Sequence, residues 1–319
     1  MKVIAAPGYG PLEGLVQTDV PLPSPGPGEV RVRVVASALN PADYKVLLGS
    51  LKFLHGRRRP LVVGYDFSGT VDAVGSSVTE VAVGDDVFGF LPYSPGNNRG
   101  AFAEALIARC DAIATKPKGV SHEVAAAAAT TGLTAIQSIR DLGRLPAQGG
   151  QVLVTGASGG VGSIAIGVAK KLNAVVTAVG SGAGVELARR QGAASVFDRT
   201  KDALPGKLHE QFDVVFDPSA MYRWREWQVA LKRGGAFVTT LPSLAFAADK
   251  VVSLFARTRV AFVNVKSRPA DLRLVATWLG EGLEVPLAST VLVQDVAKGL
   301  AQLRTTGGRI SVKVEGGFR

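Results

Sequence analysis

The sequence of 319 residues lacks the features on which several classes of protein depend. Its one cysteine, Cys110, excludes a disulfide framework and a zinc lobe built from several thiolates. No apolar run approaches the ~20 residues that a membrane-spanning helix needs. The apolar stretch after Met1 is also too short for a signal peptide. These absences predict a soluble, cytoplasmic protein with no membrane span.

The composition is otherwise that of an ordinary globular protein. Hydrophobic residues make up 47% and charged residues 19% of the chain, which excludes a disordered, collagen-like or coiled-coil protein. At roughly 150 residues per domain, the length predicts about two domains.

The positive charge is concentrated in the middle of the chain. The formal net charge is +10, and residues 125–280 hold 19 basic against 10 acidic residues, whereas residues 1–124 hold 12 of each. Such a field favours an anionic ligand. The sequence does not favour nucleic acid as a partner, because there is no long basic run and no alternation of aromatic and basic residues. A small ligand that carries phosphate is favoured over plain surface charge.

The hydrophobic pattern changes along the chain. Residues 1–124 contain short apolar runs separated by glycines, typical of a β-barrel or sandwich, and Glu29–Val35 alternates as a half-buried strand does. From residue 125 to 280, apolar strands alternate with helical stretches, which predicts parallel βαβ units. Residues 281–319 resemble the first region and are expected to return to it.

A glycine-rich loop provides the strongest single motif. Ala157-x-Gly159-x-x-Gly162 follows a predicted strand and opens a predicted helix, which is the context of a dinucleotide-binding fingerprint. Gly159 would let the backbone approach a pyrophosphate, and Gly162 would let the helix pack against the strand. The alternative is a tight turn that holds no ligand.

The end of the next strand bears on the choice between NAD and NADP. An acidic residue there bonds the ribose 2′-hydroxyl in NAD enzymes, but the stretch Val179–Gly184 contains none. Ser181 can donate a hydrogen bond to a 2′-phosphate. Arg199, after the third strand, is better placed to supply charge than Arg189 and Arg190, for which plain solvation is the alternative. The sequence therefore favours NADPH as the cofactor.

Several stretches together resemble the zinc-independent branch of the medium-chain dehydrogenase/reductase superfamily, in particular quinone oxidoreductase homologues of the chloroplast-envelope and alkenal reductase type. The resemblance covers nearly the whole chain. It implies an α/β fold in which a Rossmann domain, with a doubly wound parallel sheet, accompanies a GroES-like β-barrel domain. The stretches that carry it are Ala38–Lys45, Gly64–Gly69, Gly84–Val87, Thr131–Ala135 and the glycine loop.

The resemblance also implies that no metal takes part. Zinc-dependent members place Cys at the position of Asn40 and His at that of Tyr65, so both ligand types are missing here. The three histidines, His55, His122 and His209, are scattered along the chain, and no zinc set can be assembled from them. We expect each to be a surface or packing residue.

The family pattern assigns roles to individual residues. Ser158, Gly159, Gly160, Val161 and Gly162 are expected to contact the pyrophosphate. Ser181 falls on the 2′-phosphate position, while Arg199 stands where relatives often have Tyr, a departure that can strengthen phosphate binding. The residues expected near the nicotinamide and its ribose are Asn40, Lys45, Thr131, Leu241 and Val263.

The same pattern predicts the chemistry. Without a metal, hydride transfer needs an acceptor that delocalises the resulting negative charge, such as an enone, an alkenal or a quinone. Asn40, Tyr44 and Lys45 are the candidates for hydrogen bonding and proton supply, and Phe53 and Tyr65 for contact with a small hydrophobic substrate. The alternatives are an enoyl-thioester reductase and an NADPH-binding interaction protein with little turnover. A homodimer through Val260–Val265 is expected, as in relatives.

Overall fold

The computed structural model describes residues 1–50, 60–92, 100–202, 204–303 and 307–319. Within them the chain forms two compact units: unit 1 comprises Met1–Thr130 and Lys266–Arg319, and unit 2 comprises Thr131–Val265. The sequence argument placed the divisions at 124/125 and 280/281. In the structure the first boundary falls inside a helix, and the helix Pro269–Gly280 belongs to unit 1.

Unit 1 is dominated by strands. They are β1 (Lys2–Ala6), β2 (Val16–Asp19), β3 (Glu29–Ala38), β4 (Leu61–Val62), β5 (Asp66–Val74), β6 (Asp86–Phe90), β7 (Ala105–Arg109), β8 (Ile113–Thr115), β15 (Leu287–Leu292) and β16 (Arg309–Lys313). Its helices are α1 (Pro41–Leu47), the first part of α2 (His122–Ile136), α7 (Pro269–Gly280) and α8 (Val296–Gln302), with single 3₁₀ turns at Leu12–Gly14, Cys110–Ala112 and Val293–Asp295.

The strands of unit 1 form two sheets. The larger follows the order β15-β16-β3-β5-β6-β8, with β7 also on β3, and the smaller is β2-β1-β4. In β3, Val30, Val32 and Val34 are buried while Arg31 and Arg33 are less so, as the alternating sequence predicts. The chain returns to this unit because β16 pairs antiparallel with β3.

Unit 2 alternates strands and helices. The strands are β9 (Gln151–Val154), β10 (Val175–Gly180), β11 (Ser195–Asp198), β12 (Phe212–Asp217), β13 (Leu231–Thr239) and β14 (Arg259–Phe262). The helices are α3 (Gly160–Lys171), α4 (Ala183–Arg190), α5 (Trp224–Trp227) and α6 (Leu244–Ser253), with a π-helical segment at Gln137–Leu142 and a 3₁₀ turn at Gln228–Ala230.

The six strands of unit 2 form a parallel sheet in the order β11-β10-β9-β12-β13-β14. This is the strand order of the doubly wound dinucleotide-binding sheet. Successive strands are added on one side of β9 up to β11 and on its other side from β12 onward, and such sheets bind ligands at this switch between β9 and β12. On one side of the sheet, Trp224 and Trp227 pack into a cluster with Phe212 and Phe237. The predicted α/β fold, a parallel sheet with a separate sheet unit, is confirmed.

Candidate functional site

The glycine loop connects β9 to α3 at the carboxyl edge of the unit 2 sheet. Gly156 has a φ of +57°, a conformation that favours glycine. A Cβ on Gly162 would lie 2.1 Å from the carbonyl oxygen of Gly156, so only glycine lets α3 approach the strand this closely. The loop is held to β10 by the Ala157 amide, which donates to the Val179 carbonyl at 3.1 Å.

The first turn of α3 provides the anion-binding geometry. The helix begins after Gly159, which has no side chain to cap it. Gly160 and Val161 are partly exposed, as is Ser158. Amides in the first turn of a helix have no partner within the helix, and the helix dipole adds positive potential there. The residues that the sequence predicts to contact a pyrophosphate all lie in this turn: Ser158, Gly159, Gly160 and Val161 are partly exposed, whereas Gly162 is buried. A helix start of this kind is suited to bind an anion.

A buried carboxylate supports the loop from the neighbouring strand. Asp217, at the end of β12, accepts hydrogen bonds from Thr155 Oγ1 and Ser219 Oγ, both at 2.6 Å, and from the Tyr222 amide at 2.9 Å. Asp217 is fully buried. These bonds fix the segment that follows β12 beside the glycine loop. Sequence analysis did not identify this carboxylate, although its place at a strand end across the point of reversal was a usable signal.

The end of β10 carries the predicted adenosine residues. Ser181 follows Gly180 directly, and the Arg199 amide donates to the Gly180 carbonyl at 2.9 Å, so the structure brings Ser181 and Arg199 together at this edge. The carboxylate of Asp198 accepts from the amide and hydroxyl of Thr200 at 3.0 and 2.7 Å.

Tyr222 is a residue that the sequence analysis missed at this end. Burial raises the pKa of its phenol, and the charge of Arg199 acts in the opposite direction. Its ring packs edge-on against Trp227, with the ring centroids 5.5 Å apart. Tyr222 reaches this position because its amide is bonded to Asp217.

The residues predicted near the nicotinamide follow other strands of the same sheet. Leu241, after β13, is 45% exposed, whereas Val263, after β14, is buried. The Val263 amide donates to the carbonyl of Thr239, the last residue of β13, at 2.9 Å. This bond places Val263 at the carboxyl edge of the sheet. Thr131, the first residue of unit 2, is fully buried.

In unit 1, Asn40 belongs to a buried polar network. Its side-chain Nδ2 donates to Asp66 Oδ2 at 2.9 Å, and its Oδ1 accepts from Arg309 Nη1 at 2.9 Å. Arg309 Nη2 lies 2.6 Å from Asp66 Oδ2. The other oxygen of Asp66 accepts from the amide and the hydroxyl of Thr130. Sequence analysis identified Asn40 and missed Asp66 and Arg309.

The network is charged but compensated. The pKa of Asp66 is raised overall, chiefly by burial, and Arg309 and the bonds from Thr130 and Asn40 act against that rise. Because four donors converge on its two oxygens, we assign Asp66 as an ionised carboxylate. Burial also raises the pKa of Asp43, well above its ordinary range. The carboxylate of Asp43 accepts a hydrogen bond from the backbone N–H of Asn40 at 2.7 Å and fixes the start of α1.

The remaining predicted residues have the following places. Tyr44 and Lys45 lie on α1, which begins just after Asn40, and both are partly exposed. Tyr65, just before Asp66, has no solvent exposure, and burial raises the pKa of its phenol. Phe53 lies outside the described residues.

His122 has a packing role. Its Nδ1 lies 2.8 Å from Ser68 Oγ and its Nε2 lies 3.5 Å from Asp86.

Among the residues that the structure describes, no group of three or more His, Cys, Asp and Glu side chains is arranged to hold a metal ion. None of the helices in this part of the chain combines the length and the apolar character that a bilayer crossing requires.

Known proteins with similar sequences agree with this architecture. The Alcohol dehydrogenase GroES-like domain family matches residues 26–133. A chloroplastic quinone-oxidoreductase homolog from Spinacia oleracea is 30% identical over 250 residues, 76% of this chain and 75% of that protein. A trans-enoyl reductase from Aspergillus terreus is 32% identical over 316 residues, 89% and 85% of the two chains.

Two further similarities extend the comparison. A chloroplastic NADPH-dependent alkenal/one oxidoreductase from Arabidopsis thaliana is 32% identical over 230 residues, which are 69% of this chain but 58% of that protein. The quinone oxidoreductase structure from Coxiella burnetii superimposes with a TM-score of 0.86 at 26% identity, covering 98% of this chain and 99% of that one. The chain therefore belongs to the medium-chain dehydrogenase/reductase superfamily of oxidoreductases, among its quinone oxidoreductase and enone reductase members.

Proposed function

We propose that this protein is an NADPH-dependent oxidoreductase that reduces a quinone or the activated C=C bond of a small hydrophobic enone or alkenal. The observation that carries the proposal is the glycine loop. Its helix start has no side-chain cap, and it follows β9, where the order of strands along the parallel sheet switches from one side to the other. The relatives named above act in the same chemical class, according to their names.

The choice of NADPH rests on the end of β10. No carboxylate stands between Gly180 and Gly184 to bond the ribose 2′-hydroxyl, and such a group would repel a 2′-phosphate. Ser181 and Arg199, which the backbone brings to the same edge, would supply a hydroxyl and a guanidinium instead. A direct test compares the dissociation constants of NADPH and NADH by fluorescence titration. Tighter binding of NADH would contradict this assignment.

Zinc does not fit the residues around Asn40. The side-chain amide of Asn40 is already bonded to Asp66 and Arg309, and Tyr65 supplies no imidazole. The guanidinium of Arg309, 2.6 Å from Asp66, neutralises the nearby carboxylate that would otherwise attract a divalent cation. We therefore propose a zinc-independent reaction, and we expect dialysis against EDTA to leave the turnover rate unchanged.

The residues present can support hydride transfer to an activated acceptor. A nicotinamide cofactor supplies the hydride when it is bound. As the acceptor gains that hydride, its oxygen gains negative charge, which a neutral amide donor such as Asn40 can stabilise. Tyr44 and Lys45, on the helix that begins beside Asn40, are the candidates for proton supply, with solvent as the alternative.

The substrate class is tested by NADPH oxidation against a panel of quinones, enones, alkenals and enoyl thioesters. The similarity to a trans-enoyl reductase over 89% of this chain favours the enoyl thioester as the second candidate. A preference for crotonyl thioesters over simple enones by at least about tenfold in kcat/KM would select it. Tight binding of NADPH without turnover on any acceptor would instead support an interaction protein.

We also propose a homodimer. The strand β14 lies at the end of the unit 2 sheet, and within the described residues it is bonded to β13 on one side. An edge strand of this kind can pair with its copy across a two-fold axis, as the sequence analysis expects for Val260–Val265. Light scattering coupled to gel filtration measures the mass.

Two further expectations stay predictions: a cytoplasmic location, and contact of Phe53 and Tyr65 with the substrate.

A further inference from the structure

The side-chain amide of Asn40 is bonded at both ends to buried ions. Arg309, which is 3% exposed, contacts the oxygen end, and Asp66, which is fully buried, contacts the nitrogen end. The two ions also contact each other at 2.6 Å. Arg309 is fixed in turn by a bond from Nη1 to the Leu39 carbonyl at 2.7 Å. All these groups belong to unit 1.

This arrangement determines which way the amide of Asn40 points. A guanidinium only donates hydrogen bonds, so it must face the amide oxygen. An ionised carboxylate only accepts them, so it must face the amide nitrogen. A flipped amide would place NH₂ against Arg309 and a carbonyl oxygen against Asp66, and both contacts would be repulsive. The chemistry of the two neighbours thus fixes the orientation of the Asn40 side-chain amide.

One hydrogen on Nδ2 remains after the bond to Asp66, and it has no acceptor among the described residues. We propose that Arg309 and Asp66 are positioning residues, which hold Asn40 as a hydrogen-bond donor toward the carbonyl or quinone oxygen of the acceptor. This inference rests on the proposed function.

Arg309 serves this role in a second way. Negative charge that develops on the acceptor oxygen would be repelled by the Asp66 carboxylate if that carboxylate were alone. The guanidinium cancels its charge at 2.6 Å, so that Asn40 is oriented by an ion pair with no net charge. Lysine at position 309 would keep the charge, but its single ammonium cannot reproduce the planar fork that contacts Leu39, Asn40 and Asp66 together.

The test compares R309K in two backgrounds, the wild-type chain and N40A. In the wild-type background we expect kcat for an enone to fall by roughly 10²-fold, the effect of a misplaced donor. The dissociation constant of NADPH, measured by fluorescence, should stay within about twofold because the glycine loop is untouched. In the N40A background, R309K should cost less than about threefold more, since both changes remove the same donor. Equal losses in both backgrounds would overturn the proposal.

The matched control is R31K in the same unit. Arg31 pairs with Asp72 at 2.7 Å but contacts none of the residues around Asn40, so its kcat should equal that of the wild-type protein. D66N provides a second variant of nearly unchanged shape, should R309K fail to fold. It removes the acceptor-only partner and is expected to lower kcat as R309K does.

A readout without turnover separates this proposal from the proposed function. In ¹⁵N-labelled protein, the Nδ2 hydrogen of Asn40 that is bonded to Asp66 should exchange slowly with water, and R309K or D66N should abolish that protection. Unchanged signals in both variants would refute the positioning role. Failure of the wild-type protein to reduce any acceptor would refute the proposed function, while the NMR result would still decide the orientation.

Discussion

Gly159 and Gly162 lie three residues apart in the glycine loop, and alanine at each is expected to do different damage. A Cβ on Gly162 would lie 2.1 Å from the Gly156 oxygen and 2.8 Å from its carbonyl carbon, both backbone atoms. A Cβ on Gly159 would lie 3.3 Å from the same oxygen, which needs a shift of a few tenths of an ångström. G162A should therefore disturb packing, whereas G159A should disturb the ligand.

The magnitudes follow from these contacts. At Gly162, the gain in helix propensity is about 1 kcal/mol. Overpacking opposes this gain in free energy by typically 1–3 kcal/mol. The cost is higher here, because the atoms that the new Cβ meets belong to the backbone and cannot rotate away as a side chain can. We expect the melting temperature to fall by roughly 3–9 °C. At Gly159 the φ of −77° suits alanine, so the stability should stay within about 0.5 kcal/mol of the wild-type value.

The effect of G159A on the cofactor should be larger. A methyl group in the space that the pyrophosphate approaches would lengthen one charge-assisted hydrogen bond, worth about 1.5–3 kcal/mol. The dissociation constant of NADPH should therefore rise by roughly 10- to 150-fold.

The assay pairs thermal unfolding with fluorescence titration of NADPH. The control is G206A in the same unit, where a Cβ would meet nothing within 4 Å, and it should change neither quantity. A G162A variant that melts like the wild-type protein would show that Gly162 does not limit the approach of α3 to the strand. A G159A variant that binds NADPH normally would show that Gly159 does not face the pyrophosphate.

Three further predictions concern other parts of the chain. R199A should weaken NADPH binding by roughly 10- to 100-fold and leave NADH binding unchanged, as measured by titration with both cofactors; equal losses would place Arg199 away from the 2′-phosphate. Burial lowers the pKa of His122 below its ordinary value of 6.5. The folded state therefore resists protonation, stability falls as the pH drops through about 6.5, and H122Q should reduce the fall in melting temperature between about pH 7 and 5. W227A removes a fully buried ring from the unit 2 core, and urea unfolding should show a loss of about 3–5 kcal/mol.

Local sequence patterns were enough to predict the unit 2 fold and the glycine turn at the carboxyl edge of its sheet. The predicted helix Val161–Leu172 corresponds to α3 at Gly160–Lys171, and the strand before it corresponds to β9. These elements could be predicted because a parallel strand, a glycine turn and a helix lie consecutively in the chain. Ser181 and Arg199 were singled out in the same way, since each directly follows a strand, and their contact with the cofactor stays a prediction.

The partners of Asn40 could not be predicted in this way. Arg309 is 269 residues from Asn40 in the chain, and it meets Asn40 because β16 pairs antiparallel with β3. No periodicity specifies which edge of a sheet a returning strand will join. Asp66 was part of the motif Gly64–Gly69 that supported the resemblance, but its role became visible only once Thr130 and Arg309 were placed against it.

The buried ion pair also bears on which acceptors this protein can reduce. A metal ion would stabilise a full negative charge on oxygen, whereas the network around Asn40 offers one neutral donor held by a neutral pair. One such donor contributes about 2.7–4 kcal/mol when its geometry is right. That is too little for the localised alkoxide of a plain ketone, but it suits an enolate or a hydroquinone anion, whose charge is delocalised. A plain ketone should therefore be reduced far more slowly than the enone of the same carbon skeleton, and equal rates on both would mean that a stronger electrophile than Asn40 acts at the oxygen.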